Sequence, residues 1–185
     1  MKKTKAAILL LIGFIATSSS FAQSNKTDPG FPVQVGNAFL NFGIGAGVNY
    51  RNYFTDGIYG AKIALEFAVW QAGPGVISLG GVAGLSFSNG RSGGFAFLAA
   101  ARSAWHCGWH VPGLDTYGGF SVGAGLLHSD NKVYYPEGNN YDDQLIPVPG
   151  AFAGASYFIN PHFGFNAEAG SDITHFQIGI IFKLR

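Results

Sequence analysis

The run His128-Ser129-Asp130 contains the three residue types of a serine-hydrolase triad. In a triad the histidine accepts the proton of the serine hydroxyl, and the acid orients the histidine ring. Consecutive strand residues point to opposite faces, so direct adjacency opposes a hydrogen bond between His128 and Ser129. The run matches no lipase motif, and it also suits the polar start of a long loop. A lipid-modifying enzyme is therefore an alternative and not the favoured function.

Histidine and cysteine side chains could hold a metal ion, and His106, Cys107 and His110 come nearest to such a group. The two histidines have the four-residue spacing of a helical zinc pair. They fall, however, on a predicted strand and the turn after it, so a zinc pair is not expected. Cys107 is interpreted as a small, outward-facing apolar residue. Because it is the only cysteine, intramolecular disulfides are excluded. No catalytic residue, metal site or cofactor is predicted.

The glycine-rich stretch NFGIGAGVNY at 41–50 allows three interpretations. Gly43, Gly45 and Gly47 resemble the start of a dinucleotide-binding loop, and Gly43 and Gly47 also form the GxxxG pair of packed transmembrane helices. All three occupy every second position of a strand as well. The first interpretation lacks a following helix, and polar neighbours on both sides oppose the second. The strand remains, with its glycines facing a lumen where they leave room for long side chains of other strands.

Alternation with a period of two residues continues along the chain. In 38–51 the even positions are apolar, and most odd positions are Gly, Asn or Arg. The 3.6-residue period of an amphipathic helix fits this pattern badly. Eight such segments are predicted, at 38–51, 58–70, 76–88, 95–107, 116–128, 148–159, 163–170 and 175–184. An even number of segments with one lipid-facing and one lumen-facing side suits a closed antiparallel barrel.

The composition favours a membrane barrel over a soluble β-sandwich. Charged residues are 11% of the chain, against about 25% in soluble proteins. No segment beyond the N-terminal leader has the roughly 18 apolar residues of a transmembrane helix. Three early lysines, the apolar run 6–16 and Ser20-Phe21-Ala22 predict a signal peptide. The expected division is a cleaved signal peptide at 1–22, an N-terminal periplasmic segment at 23–37 and the barrel at 38–185.

The charge pattern gives no indication of nucleic-acid binding. Three of the 11 Lys and Arg residues lie in the expected signal peptide, which leaves 8 basic residues against 10 acidic ones. The chain has no basic run.

The connectors and tryptophans support the same barrel. With the N-terminus in the periplasm, 52–57, 89–94, 129–147 and 171–174 are expected outside, and 71–75, 108–115 and 160–162 in the periplasm. The longest connector falls outside, as in barrels of this type. Trp70, Trp105 and Trp109 fall at the periplasmic ends of the second and fourth segments, where a membrane interface favours tryptophan.

Four charged residues stand at inward positions, namely Lys62, Glu66, Arg102 and Glu168. The interior of an eight-stranded barrel is just wide enough for side chains. Burying an unpaired charge there is costly, so a structural network of ion pairs among the four is predicted. Conduction of protons or ions is the alternative.

The connector 129–147 is the predicted contact surface. It combines aromatic and acidic side chains, a mixture suited to a protein or a glycan. The possible contact residues are Tyr134, Tyr135, Glu137, Tyr141, Asp142 and Asp143. A solvated loop without a partner is the alternative.

The leader ending in SSSFAQ, the eight Gly-rich segments and the closing strand HFQIGIIFKLR resemble the small outer-membrane β-barrel proteins common in Bacteroidota, of the eight-stranded type. The resemblance covers essentially the whole mature chain and rests on a pattern, not on a fixed motif. It implies insertion by the barrel-assembly machinery, which is thought to recognise an aromatic residue at or near the C-terminus. Here Phe182 lies three residues before Arg185.

The sequence therefore predicts an all-β, eight-stranded antiparallel up-and-down transmembrane barrel in the bacterial outer membrane. Its expected role is structural or in surface interaction, without catalysis. The expected partners are outer-membrane lipid, the barrel-assembly machinery during insertion and an extracellular protein or glycan at 129–147. A lipid-modifying enzyme and a small transport or secretion accessory barrel are the alternatives.

Overall fold

The structure, a computed structural model, describes residues 32–47, 58–88, 94–129 and 143–184. The strands are β1 (Ala38–Ala46), β2 (Ile58–Ala72), β3 (Gly75–Ser88), β4 (Gly94–Cys107), β5 (Leu114–Ser129), β6 (Asp143–Asn160), β7 (Phe163–Gly170) and β8 (Phe176–Lys183). Each strand pairs antiparallel with the next, and β1 pairs with β8 to close the barrel. The predicted closed, up-and-down, eight-stranded fold is confirmed. Among the described residues, no helix is long and apolar enough to cross a membrane.

The two faces of the barrel wall have opposite polarity, as the alternation predicted. Large apolar side chains are exposed on the outer face, among them Phe42, Ile44, Ile63, Phe67, Leu85, Phe97, Phe120, Val122, Phe165 and Ile178. Polar and charged side chains are buried inside, among them Asn41, Lys62, Glu66, Ser78, Arg102, His106, Asn166, Glu168 and Gln177. An apolar exterior around a polar interior is the arrangement of a transmembrane barrel.

Several strand boundaries differ from the prediction, most of all those of β1 and β6. β1 ends at Ala46, and Gly47 follows with a positive φ of 75°. The rest of the predicted segment, 48–51, lies outside the described residues. β6 begins at Asp143 and not at 148, so Asp143 belongs to a strand and not to the predicted connector 129–147. Pro147 and Pro149, which donate no ladder hydrogen bond, lie in this part of β6. They are tolerated because this part of β6 pairs with β5 only, as edge strands allow.

The three tryptophans lie at one end of the barrel, which we call the tryptophan end. Trp70 stands near the end of β2, Trp105 near the end of β4, and Trp109 in the turn that follows β4. The Trp105 and Trp109 rings meet edge to face, 6.2 Å apart. The Trp105 indole N–H donates to the carbonyl of Ala72 over 3.0 Å, which ties the turn region of β2 to β4.

An apolar layer fills the lumen near each end. At the tryptophan end it consists of Val33, Phe39, Ala68, Val76, Phe158 and Ile181. Val33 belongs to the segment 32–37, which is fixed by a 2.8 Å hydrogen bond from Gly36 N to Ala68 O and by the Lys183 ammonium on the carbonyl of Pro32. At the opposite end the layer consists of Ala64, Val82, Ala96, Leu98, Leu127, Val148 and Ile173.

The connector 171–175 between β7 and β8 turns into the lumen. The sequence predicted an outside connector at 171–174, but Asp172 and Ile173 are fully buried. Glycines on other strands make room for it: a Cβ at Gly84 would lie 2.5 Å from Ile173 Cδ1, and one at Gly45 would lie 2.8 Å from Thr174 Oγ1. Gly43 and Gly45 do face the lumen, as predicted. The space beside Gly45, however, is occupied by this connector, and that beside Gly43 by the side chain of Gln177.

Candidate functional site

The candidate site is a layer of charged side chains between the two apolar layers, which we call the charge layer. The structure brings Lys62, Glu66, Arg102 and Glu168 together there, on strands β2, β4 and β7, and adds Asp172 from the inward connector. Each side chain points inward because it occupies the lumen-facing parity of its strand. Their side chains are between 0 and 8% exposed, so the layer is shielded from water.

Lys62 is the link between the barrel wall and the connector. Its ammonium forms an ion pair with Glu168, and a second one with Asp172 over 3.0 Å. The backbone N–H of Ile173 also donates to Asp172 Oδ1 over 2.7 Å. Asp172 is thus held by one side-chain cation and one backbone donor, and this contact fixes the connector inside the lumen.

Arg102 joins the two glutamates. Its Nη2 donates to Glu168 Oε2 over 3.1 Å, and its Nε lies 2.9 Å from Glu66 Oε1, at ion-pair distance but outside hydrogen-bond direction. The guanidinium carbon lies 3.7 Å from the ring centroid of Phe152, where a cation–π contact adds stabilisation. Lys62, Glu168, Arg102 and Glu66 therefore form one continuous chain of charges.

A second polar group lies beside Glu66, towards the tryptophan end. His106 Nδ1 is 2.8 Å from Asp115 Oδ2, and His106 Nε2 is 3.1 Å from Ser78 Oγ. These are the contacts of a Ser-His-acid triad. The Ser78 hydroxyl, however, donates to Glu66 Oε2 over 2.5 Å, and Ser78 is 0% exposed.

Rings enclose this second group on both sides. Phe39 stacks on His106 at 5.8 Å, and Tyr117 lies on its other side at 5.4 Å. A triad acts only when a substrate carbonyl can reach the serine oxygen. The enclosed arrangement can therefore link three strands by hydrogen bonds, and among the described residues the Ser78 hydroxyl is covered.

The other histidines and the cysteine do not converge on a reactive centre. His128 lies against the ring of Phe95 at 5.1 Å, and Asp130, the third residue of the run at 128–130, lies outside the described residues. Cys107, predicted to be a small outward-facing residue, is buried, with its Sγ 4.0 Å from the carbonyl of Pro74 in the turn between β2 and β3. Within the described ranges, no group of His, Cys, Asp and Glu could hold a metal ion.

The predicted contact surface lies mostly outside the described residues. This holds for Tyr134, Tyr135, Glu137, Tyr141 and Asp142. Asp143 is the first residue of β6, where its backbone lies opposite His128 of β5. The connector between β5 and β6 is therefore 130–142, and its role in binding stays a prediction.

Sequence reasoning missed Asp172 and Asp115 as members of the charged interior. The sequence prediction placed Asp115 in a connector. Asp115 shares the parity of Tyr117 and Ser121, so extending the alternation of that strand towards its start would have included it. Asp172 gave no such signal, since a short connector has no periodicity that shows whether it turns inward.

No model of a protein family and no curated protein matches the sequence. Among solved structures, a de novo designed transmembrane β-barrel is similar at 20% identity and a TM-score of 0.48, over 82% of this chain and 98% of the design. The N-terminal β-barrel domain of OprF from Pseudomonas aeruginosa has 18% identity and a TM-score of 0.47, with 82% and 98% covered. Ail, the attachment invasion locus protein of Yersinia pestis, has 11% identity and a TM-score of 0.41, with 81% and 96% covered. These likenesses assign no activity to the chain.

Proposed function

We propose that this chain is a small integral protein of the bacterial outer membrane whose filled barrel presents the connector 130–142 at the cell surface. The observation that carries the proposal is the inverted polarity of the wall: large apolar side chains outside, and paired charges inside. A soluble protein with this outer face would expose far more contiguous apolar surface than monomers tolerate. Outer-membrane lipid is the solvent that suits it, and the tryptophan end suits the periplasmic interface.

The proposed role is structural or in surface interaction, because the lumen is filled. Apolar side chains occupy it near both ends, and the charges between them are paired with one another. Conduction needs sites that an ion can both enter and leave. Within the described residues, the buried apolar side chains and paired charges support a barrel that does not conduct.

The test of this structural role is conductance of the folded protein in a planar bilayer. Folding is checked beforehand by the heat-dependent shift of its band on a gel. We expect no unit conductance steps above the lipid baseline. Reproducible, ion-selective steps from the folded barrel would instead support the transport alternative.

The surface role is tested on the connector itself. Deletion of 131–142 should leave the band shift unchanged, because the strands on either side are intact, and should abolish adhesion to host cells or to a glycan array. A matched variant keeps the length but replaces Tyr134, Tyr135, Glu137, Tyr141 and Asp142 with serine. Adhesion that survives both changes would refute a binding role for this connector.

We also propose that the chain catalyses no reaction. This proposal is supported by the burial of Ser78 Oγ and by its hydrogen bond to Glu66. A fluorophosphonate probe should leave the folded barrel unlabelled, and the acyl pattern of lipid A should be the same with and without the protein. Labelling of the unmodified barrel that is lost in the Ser78→Ala variant would instead support the enzyme alternative.

A further inference from the structure

The hydrogen bonds around His106 determine where the protons of this buried group lie. The Ser78 hydroxyl donates to Glu66 Oε2 over 2.5 Å, and Glu66 Oε1 lies 2.9 Å from Arg102 Nε. A carboxylate beside a guanidinium is ionised and only accepts hydrogen bonds. Two oxygens 2.5 Å apart would repel each other without a proton between them, so the hydroxyl proton of Ser78 lies towards Glu66. The Ser78 oxygen can therefore only accept from His106.

Both ring nitrogens of His106 face acceptors. Nε2 is 3.1 Å from Ser78 Oγ, and Nδ1 is 2.8 Å from Asp115 Oδ2. A neutral imidazole has one donor and one acceptor nitrogen, whereas an imidazolium has two donors. With a proton on Nε2, a neutral ring would turn the lone pair of Nδ1 towards the Asp115 carboxylate. The two contacts together therefore fit an imidazolium and not a neutral ring.

Two carboxylates flank the ring and favour its charged form. Asp115 forms an ion pair with Nδ1, and Glu66 Oε2 lies 3.7 Å from Nε2. Asp115 is 0% exposed, and within the described residues its Oδ1 has no hydrogen-bond partner. A buried carboxylate without a nearby cation is costly. The proton on His106 is therefore what compensates the charge of Asp115 at hydrogen-bond distance.

The other titratable groups around the ring do not take over this role. Arg102 is already paired with both glutamates of the charge layer. Lys183 on β8 attracts Asp115 electrostatically, but its ammonium lies on the carbonyl of Pro32. Tyr117, whose ring lies 5.4 Å from that of His106, is a phenol that keeps its proton near neutral pH. His106 is therefore the group near Asp115 whose charge can change between neutral and mildly alkaline pH.

We propose that His106 is a buried imidazolium that makes the stability of the tryptophan end depend on pH. The cation links β4 to β5 through Asp115 and to β3 through Ser78. In the unfolded chain a histidine loses its proton near pH about 6.5. Above that pH, folding takes up one proton, so the unfolded state gains on the barrel as the pH rises. Below it both states hold the proton, and the barrel keeps the full stabilisation.

The first test is urea titration in phospholipid vesicles at pH values between about 7 and 8.5, in a Cys107→Ala background because a thiol freed by unfolding ionises in the same range. We expect the unfolding equilibrium constant to rise about tenfold per pH unit. His106→Gln has no titratable ring and should lose this rise. His162→Gln, in the exposed turn between β6 and β7, is the matched control and should keep it. An equal rise in the parent and in His106→Gln overturns the proposal.

The second test leaves His106 unchanged and reads its protons directly, so it holds even where His106→Gln does not fold. Glutamine replaces the other four histidines, and the remaining one is labelled with nitrogen-15; the replaced residues are His110, His128, His162 and His175. In the folded barrel at pH about 8 we expect the nitrogen resonances of a ring protonated at both positions, and in urea those of a neutral ring. A neutral ring in the folded barrel at this pH overturns the proposal.

Discussion

Lys62→Met isolates the contribution of the charge layer to stability. Methionine has nearly the length of lysine but no charge, so the change leaves Glu168 and Asp172 buried without the ammonium that lies between them. Removing one member of a buried ion pair costs about 3–5 kcal/mol. Glu168 keeps Arg102 at 3.1 Å, whereas Asp172 keeps only the backbone N–H of Ile173. Most of the lost stability therefore comes from the uncompensated Asp172 carboxylate. We expect the lower end of the range, about 3 kcal/mol.

The double variant Lys62→Met/Asp172→Asn tests that assignment. The second change removes the carboxylate that the first leaves uncompensated, so we expect it to recover about 1 kcal/mol or more of the loss. Stability is measured by urea titration in phospholipid vesicles, followed by tryptophan fluorescence. Lys183→Met is the matched control, because Lys183 is only partly buried and its ammonium contacts a neutral carbonyl and the ring of Phe158. It should cost less.

Two results would refute the reasoning. A change below about 0.5 kcal/mol for Lys62→Met, the size of an ordinary surface substitution, would mean that the layer is hydrated and its charges are independent. A further loss on adding Asp172→Asn would mean that Asp172 is stabilised by groups other than Lys62.

Two more substitutions test the packing around the charge layer. Ile173→Ala should cost about 2–5 kcal/mol in the same titration because it leaves a cavity in the apolar layer, whereas Ile178→Ala on the exposed outer face should cost clearly less; an equal loss would contradict a lumenal Ile173. Gly45→Phe should prevent the heat-dependent gel shift, since a Cβ there would lie 2.2 Å from the Phe176 carbonyl. Ile44→Leu on the outer face should leave the shift unchanged, and a normal shift for Gly45→Phe would show that the connector and β8 can move aside.

The strand count and the facing of side chains could be predicted because both follow from local alternation. Lys62 and Glu66 share the parity of their strand, and that parity alone places them inside. The same local rule explains the error at β6. The predicted strand at 148–159 includes Pro149 but not Pro147, whereas β6 begins at Asp143. Both prolines are accommodated because β7 ends before reaching them, a fact that no local pattern contains.

Contacts across strands could not be predicted, since they depend on register. Ser78 and His106 have the lumen-facing parity of their strands, but their contact exists because Ser78 pairs with Ala104 and Val76 with His106, which sets the two side chains side by side. A register shifted by two residues so that Ser78 pairs with Arg102 would keep both side chains inside and separate them. The position of Asp172 depends in addition on the path of a five-residue connector.

The charge layer also accounts for how a glycine-rich barrel keeps one register. Gly-rich strands specify their pairing weakly, because few side chains distinguish one alignment from the next. Slipping a strand by one residue would turn Lys62 or Arg102 from the lumen to the lipid, where a cation near the bilayer midplane costs about 2–4 kcal/mol. A slip of β2 would also leave Asp172 without the Lys62 ammonium. The paired charges thus penalise every one-residue misalignment of β2, β4 and β7, and the glycines of the other strands provide the space in which the long side chains meet.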